Sequence, residues 1–178
     1  MLEEVKCDLY RITGKEYSRK DFLKYFFVSK TFRLLYFYRR RRKSNDIITK
    51  IAFARAYSKA DVELPWQAKI DSGMLIIHPK AITINSQTTA GKNLTILKGA
   101  TIGSIKTGKK EGVPSIGNNV YVGVNSTVVG GIHIGDNVLI AANSFVDFDV
   151  PDNSIVIGNP AVIHYKENAS QPYITNPS

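Results

Sequence analysis

Cysteine is nearly absent: Cys7 stands alone in 178 residues. No internal disulfide can form, and the usage fits a reducing compartment. Histidine is scarce as well, with His78, His133 and His164 spread far apart along the chain. A metal-dependent hydratase needs histidines clustered at short spacing, so that class is set aside and no metal is expected. No apolar run approaches the roughly 18 residues of a membrane-spanning helix. The start, MLEEVKCDLY, has an early acidic pair and no apolar stretch of a secretory signal. Together these absences predict a cytoplasmic protein.

Charge is present but uneven. Residues 1–60 carry 16 Lys/Arg against 6 Asp/Glu, and residues 61–178 carry 8 against 9. The change near residue 60 divides the chain into a basic, aromatic-rich region (1–60), a second region (61–164) and a polar, Pro-ended tail (165–178) expected to be loosely ordered. In DFLKYFFVSKTFRLLYFYRRRRK, Phe22, Phe26, Phe27, Leu34, Phe37 and Tyr38 recur at helical spacing. One or two amphipathic helices are expected there, with Asp21 as N-cap, and another over Asp46 to Ser58. The run Arg39 to Lys43 reads either as a solvated helix end or as a contact for a membrane surface, which would make the protein peripheral. Nucleic acid is disfavoured, because no interleaved base-stacking pattern accompanies the charge.

The second region is a repeat. Ile116, Val122, Val128, Ile134, Ile140 and Val146 follow one another in sixes without a slip, and Ile84, Ala90, Ile96 and Ile102 continue the count upstream, as do Ile70 and Ile76 before them. Asparagines (Asn118, Asn119, Asn125, Asn137, Asn143) fall at the expected corners, where positive φ is tolerated. One inward aliphatic per six residues predicts a mainly β protein, a triangular parallel β-helix with one face per hexapeptide. The register breaks at two places. Two extra residues sit within HPKA after His78, and eight within GSIKTGKKEGVPS, an excursion loop over 103–115. A histidine at a bulge can be aimed outward, and loops on a rigid scaffold commonly carry function.

These features resemble the serine acetyltransferase branch of the hexapeptide acyltransferases, a branch that includes polysaccharide O-acetyltransferases. The similarity spans about residues 61–164, in ELPWQAKIDSGMLIIHPKAITIN, NLTILKGATIGS and GVPSIGNNVYVGVNSTVVGG through to VIGNPA. It implies a left-handed β-helix, a homotrimer with active sites at the subunit junctions, and acetyl-CoA as acetyl donor. It assigns His78 as the catalytic base and Glu63 as the carboxylate that orients it. Gly103 and Ser104 become candidates for the backbone donors to the oxyanion. Ser104, Lys106, Lys109, Lys110, Asn125, Ala142 and Ser144 become candidate coenzyme A contacts. Val162 departs from the lysine common in the closing motif, and Lys166 is the nearest substitute.

The chemistry suits these residue types. A hydroxyl is a weak nucleophile toward a thioester until a base takes its proton, and imidazole, with a reference pKa of about 6.5, serves near neutral pH. As for the acceptor, the resemblance places Ile77, Gly112 and Val113 where serine enzymes hold charged residues for the amino acid. The helical region is also shorter than the long helical domain of those enzymes. A sugar or glycan-precursor hydroxyl is therefore expected, with L-serine as the alternative and a non-catalytic scaffold as a further one.

Overall fold

The computed structural model describes residues 2–178. Four helices come first: α1 (Glu3–Thr13), α2 (Arg19–Val28), α3 (Lys30–Lys43) and α4 (Ile47–Tyr57). The stretch expected to hold one or two helices holds two, because Ser29 is extended (φ −96°, ψ 111°) and its hydroxyl accepts from the Phe32 N–H to start α3. Asp21 is not the cap of α2. Ser18 caps it, accepting from the Asp21 N–H at 3.0 Å and donating to the Asp21 carboxylate at 2.7 Å. Asp46 does cap α4, accepting from the Thr49 N–H at 2.8 Å. Val5, Leu9 and Phe32 form a small core with the rings of Phe22, Tyr25, Phe26 and Tyr36. Leu34, Leu35 and Tyr38 of α3 instead join the core of the β region.

That region winds in coils of three short strands. The first coil holds β1 (Val62–Glu63), β2 (Lys69–Ile70) and β3 (Leu75–Ile77); the second holds β4 (Ile82–Ile84), β5 (Thr89–Ala90) and β6 (Thr95–Leu97). The third holds β7 (Thr101–Gly103), β8 (Ser115–Ile116) and β9 (Tyr121–Val122); the fourth holds β10 (Thr127–Val129), β11 (His133–Ile134) and β12 (Leu139–Ile140). The last holds β13 (Phe145–Val146) and β14 (Ser154–Gly158), closed by β15 (Ala161–Tyr165), which returns antiparallel on β14. Corresponding strands pair in parallel and make three sheets, one per face. The winding is left-handed, against the usual right-handed crossover.

The six-residue column is the core: Val122, Val128, Ile134, Ile140 and Val146 are all 0% exposed. Each such burial contributes about 1.5–3 kcal/mol. Stacking is direct where the register is regular, as in Ile116 on Ile134 and Val122 on Ile140. Where HPKA adds two residues, Ile76 instead stacks on Ile96. Where the excursion intervenes, Ile96 stacks on Val122. A third break, not visible in the count of sixes, follows Val146: Ile134 pairs with Val150, two residues short of a regular coil. At the corners Asn93, Asn119, Asn137 and Asn153 all take positive φ and pass hydrogen bonds along the stack, Asn93 to Asn119 at 3.0 Å and Asn119 to Asn137 at 3.1 Å.

Two expectations for the ends of the chain are corrected. The run Arg39 to Lys43 is only in part a solvated helix end: Arg40, Arg42 and Lys43 are exposed, but most of the run is engaged within the chain. Arg39 is 1% exposed and paired with Asp8; Arg41 stacks over Trp66 and donates to the Ser44 carbonyl; Arg42 donates to the Ile70 carbonyl; Lys43 pairs with Glu4. The tail is not loose either. Ala169, Ser170 and Ile174 are buried, Tyr173 packs on Tyr121 at 5.1 Å, and the Ser178 N–H donates to Asn93 at 3.0 Å. The asparagine corner and Arg11, which donates to the Thr175 carbonyl at 2.7 Å, supply polar partners that the tail's composition does not reveal.

Candidate active site

The bulge after β3 has two residues in the left-handed region, His78 at φ 52° and Ala81 at φ 51°. A non-glycine residue held there costs about 1–3 kcal/mol, and such strain gathers at functional sites. The turn places His78 at the corner between two faces, exposed, while Ile76 just before it stays in the core. The sequence expectation of an outward ring at a register break is what the backbone provides.

Glu63 ends β1, and its neighbour across the ladder is Thr83, just beyond the bulge. A groove of about 480 Å³ runs there, lined among others by Asp61, Glu63, Lys80, Ala81 and Thr83. Glu63 and the bulge therefore share one groove. Among the described residues, however, the four ion pairs are Lys6–Glu3, Arg39–Asp8, Lys43–Glu4 and Lys110–Asp147, so Glu63 and His78 are not paired within the chain. Tyr57, at the end of α4, is a neighbour that the sequence did not point to. Burial, and then the charge of Glu63, push its hydroxyl pKa up. The helical region thus reaches the candidate site, which only a contact between distant segments could reveal.

The remaining candidates separate. Gly103 ends β7 and lies within the ladder opposite Val129. Among the described residues the Ser104 N–H, one step beyond, donates to no backbone carbonyl, and of the two it is the donor left available to an oxyanion. Lys106 and Lys109 are exposed on the excursion. Lys110 is committed to Asp147 at 2.8 Å. Asn125 is an exposed corner residue at φ 55°, folded over Gly99, and Ala142 is exposed one residue before the Asn143 corner. Ser144 is 1% exposed, with its hydroxyl donating to the Val156 carbonyl and accepting from the Gly158 N–H of the closing hairpin. Val162 lies exposed on β15.

The excursion is built rather than trailing. Ile105 and Gly112 exchange both backbone hydrogen bonds, at 3.1 and 2.9 Å, and the Gly131 N–H donates to the Lys110 carbonyl. Its tip docks on the Gly130–Gly131 corner so closely that a Cβ on Gly112, at φ 134°, would meet the Gly131 Cα at 2.9 Å. No side chain fits at position 112 in this backbone. His133 and His164 are both exposed; His133 meets the Ser115 hydroxyl at 3.1 Å and His164 sits on β15. Among the described residues no three His, Cys, Asp or Glu side chains gather as a metal site.

With this geometry in place, similarity to known proteins becomes informative. The family model described as the hexapeptide repeat of succinyl-transferase matches residues 115–147. The serine acetyltransferase of Helicobacter pylori is 39% identical over 102 residues, 56% of this chain and 58% of that one. The serine acetyltransferase of Staphylococcus aureus strain Mu50 is 39% identical over 121 residues, 64% of this chain and 56% of that one. The chain therefore spans less than two thirds of the length of these relatives. Among solved structures, serine acetyltransferase from Neisseria gonorrhoeae superposes with a TM-score of 0.75 at 26% identity, covering 93% of this chain and 65% of that one. Repeat, coil and sequence agree: over its coil the chain is similar to the hexapeptide-repeat acyltransferases of the serine acetyltransferase-like branch.

Proposed function

We propose that the chain is an O-acetyltransferase that moves the acetyl group of acetyl-CoA to an acceptor hydroxyl, with His78 as general base. The observation that carries this reading is the placement of His78. It stands exposed at a left-handed corner of the HPKA bulge, and Lys80 and Ala81 of the same bulge line the groove that holds Glu63. The imidazole takes the hydroxyl proton as the oxygen attacks the thioester carbonyl; the carbon–sulfur bond breaks, and the proton passes to the departing thiolate. A base in this position contributes about 10²–10⁴-fold. Glu63 orients the ring and offsets the imidazolium charge. The Ser104 N–H donates to the developing oxyanion. Lys106 and Lys109 meet the coenzyme's phosphates, with Asn125 and Ala142 along its pantetheine arm. Three chains assemble so that each groove is completed by a neighbour.

L-serine is the acceptor that the relatives' names supply, and it is the first to test. A sugar hydroxyl is the second reading, favoured by one feature. Position 112 has no space for a side chain and Ile77 is apolar, so neither position supplies a charged partner for an amino acid's carboxylate or ammonium. Thiol release from acetyl-CoA with L-serine and, in parallel, a panel of sugars decides between them. His78→Asn serves as the control that keeps the left-handed corner. Turnover with neither acceptor, and no binding of acetyl-CoA, would overturn the enzyme reading in favour of a scaffold.

A further inference from the structure

Six large apolar side chains of the helical region point away from the chain. Leu23, Phe27 and Val28 on α2 are 52, 71 and 77% exposed, and Ile47, Ile48 and Ile51 on α4 are 66, 76 and 54% exposed. Helix α4 already buries Thr49, Phe53 and Ala56 against the chain, so its apolar character continues around a second face. A surface helix that is apolar all round has a partner for its outer side. A groove of about 410 Å³ is lined by Phe26, the chain neighbour of Phe27, and by Ala52, the chain neighbour of Ile51, together with Phe37, Arg55 and Lys59.

The surroundings of this face are cationic. Residues 19–59 hold 13 Lys/Arg against 2 Asp/Glu. Both acids are engaged at helix starts, Asp21 with Ser18 and Asp46 with Ser44 and Thr49. Among the described residues, Lys20, Lys24, Lys50, Arg55 and Lys59 have no carboxylate partner, since the four ion pairs lie elsewhere.

We propose that this face of α2 and α4 docks on an anionic lipid bilayer, with Phe27, Val28, Ile47, Ile48 and Ile51 entering the headgroup boundary and the surrounding lysines and arginines meeting lipid phosphates. Exposed apolar side chains flanked by unpaired cations are what an interfacial helix presents. A second copy of the chain is a poor occupant, because face-to-face contact would bring two cationic rims together. The contact lies on the surface, since among the described residues no helix is long and apolar enough to cross a membrane. The surface is formed by α2 and α4 and not by the run Arg39 to Lys43, most of which is committed within the chain.

The test is flotation of the full chain with vesicles of phosphatidylcholine alone and of phosphatidylcholine with phosphatidylglycerol in equal parts. The chain is expected to float with the mixed vesicles at low salt and to be released by added salt. Phe27→Glu/Ile48→Glu should lower binding by more than about tenfold. Lys24→Glu or Lys50→Glu should lower it by about fivefold or more each. All these positions are exposed, and an unchanged melting temperature shows that the variants fold. Absence of flotation with anionic vesicles overturns the proposal, as does flotation unchanged in Phe27→Glu/Ile48→Glu. A lipid-free dimer, seen by light scattering and split by that same variant, also overturns it by showing that a second copy covers the face.

Discussion

Asp8 on α1 and Arg39 on α3 form a two-point ion pair, 2.9 and 3.0 Å, with both side chains 1% exposed. Both partners make further hydrogen bonds. Arg39 also donates to the carbonyls of Ile70 and Asp71, and Asp8 also accepts from the Met74 N–H at 2.9 Å. Burial pushes the Asp8 carboxyl up while Arg39 draws it back; burial works against the Arg39 charge, but Asp8 outweighs it and holds the guanidinium above its ordinary value. The pair joins two helices to the first coil. Removing one partner strands a buried charge, so Arg39→Met or Asp8→Asn is expected to cost about 3–5 kcal/mol in denaturant unfolding. The double variant Asp8→Leu/Arg39→Met should recover part of that loss, a coupling that a double-mutant cycle measures directly.

At the candidate site, His78→Asn keeps a residue that tolerates the left-handed corner. Acetyl transfer should fall about 10²–10⁴-fold with the melting temperature little changed. His78→Ala should lose activity equally but also lose some stability from the positive φ. Equal activity in His78→Asn and wild type would remove the histidine from the mechanism.

The excursion depends on two glycines that touch. A Cβ on Gly131 would meet the Glu111 carbonyl oxygen at 2.5 Å. Gly131→Ala should therefore release the Lys110–Gly131 contact and raise amide exchange at Ile105 and Gly112, while the six-residue core column keeps its protection.

The tail should matter more than its composition suggests. Ile174→Asp places a charge at a site only 6% exposed, and it also disturbs the neighbouring Thr175 carbonyl that Arg11 uses. Burial already holds the Arg11 guanidinium down at about 10. A clear drop in melting temperature is expected, and an unchanged value would mean that the tail's packing contributes nothing.

Helix α4 carries its own pH dependence. Hydrogen bonds from Ser44, from the Thr49 hydroxyl and from the Thr49 N–H hold the Asp46 carboxyl well below the ordinary carboxylate range. A pKa lowered on folding contributes stability above the unfolded value, near 3.9, and loses it as pH falls toward the folded value. Asp46→Ala should therefore destabilise the chain at neutral pH and flatten the acid limb of its stability profile, as read by circular dichroism melts.

Sequence periodicity sufficed for the coil because each hexapeptide states its inward residue locally, and stacking repeats the statement at Ile116, Val122, Val128 and onward. The bulge at His78 was legible for the same reason, as an interruption of a regular count. The third break, after Val146, escapes because the count simply ends there in VDFDVP, and only the pairing of Ile134 with Val150 shows that two residues are missing. The sequence expectations do not include helix α1, and the cap of α2 is Ser18, three residues before the Asp21 that its pattern suggests.

What the sequence alone determined is whatever repeats or interrupts a repeat: the triangular coil, the positions of His78 and the excursion, and the boundary near residue 60. What the tertiary structure decided is which charges are free. Five consecutive cations look alike in the sequence, yet Arg39 is buried on Asp8 and Lys43 pairs with Glu4, while on the excursion Lys110 pairs with Asp147, each partner lying over 30 positions away. A side chain's charge is fixed by its type, but its partner is fixed by packing between distant segments, and no local period records that.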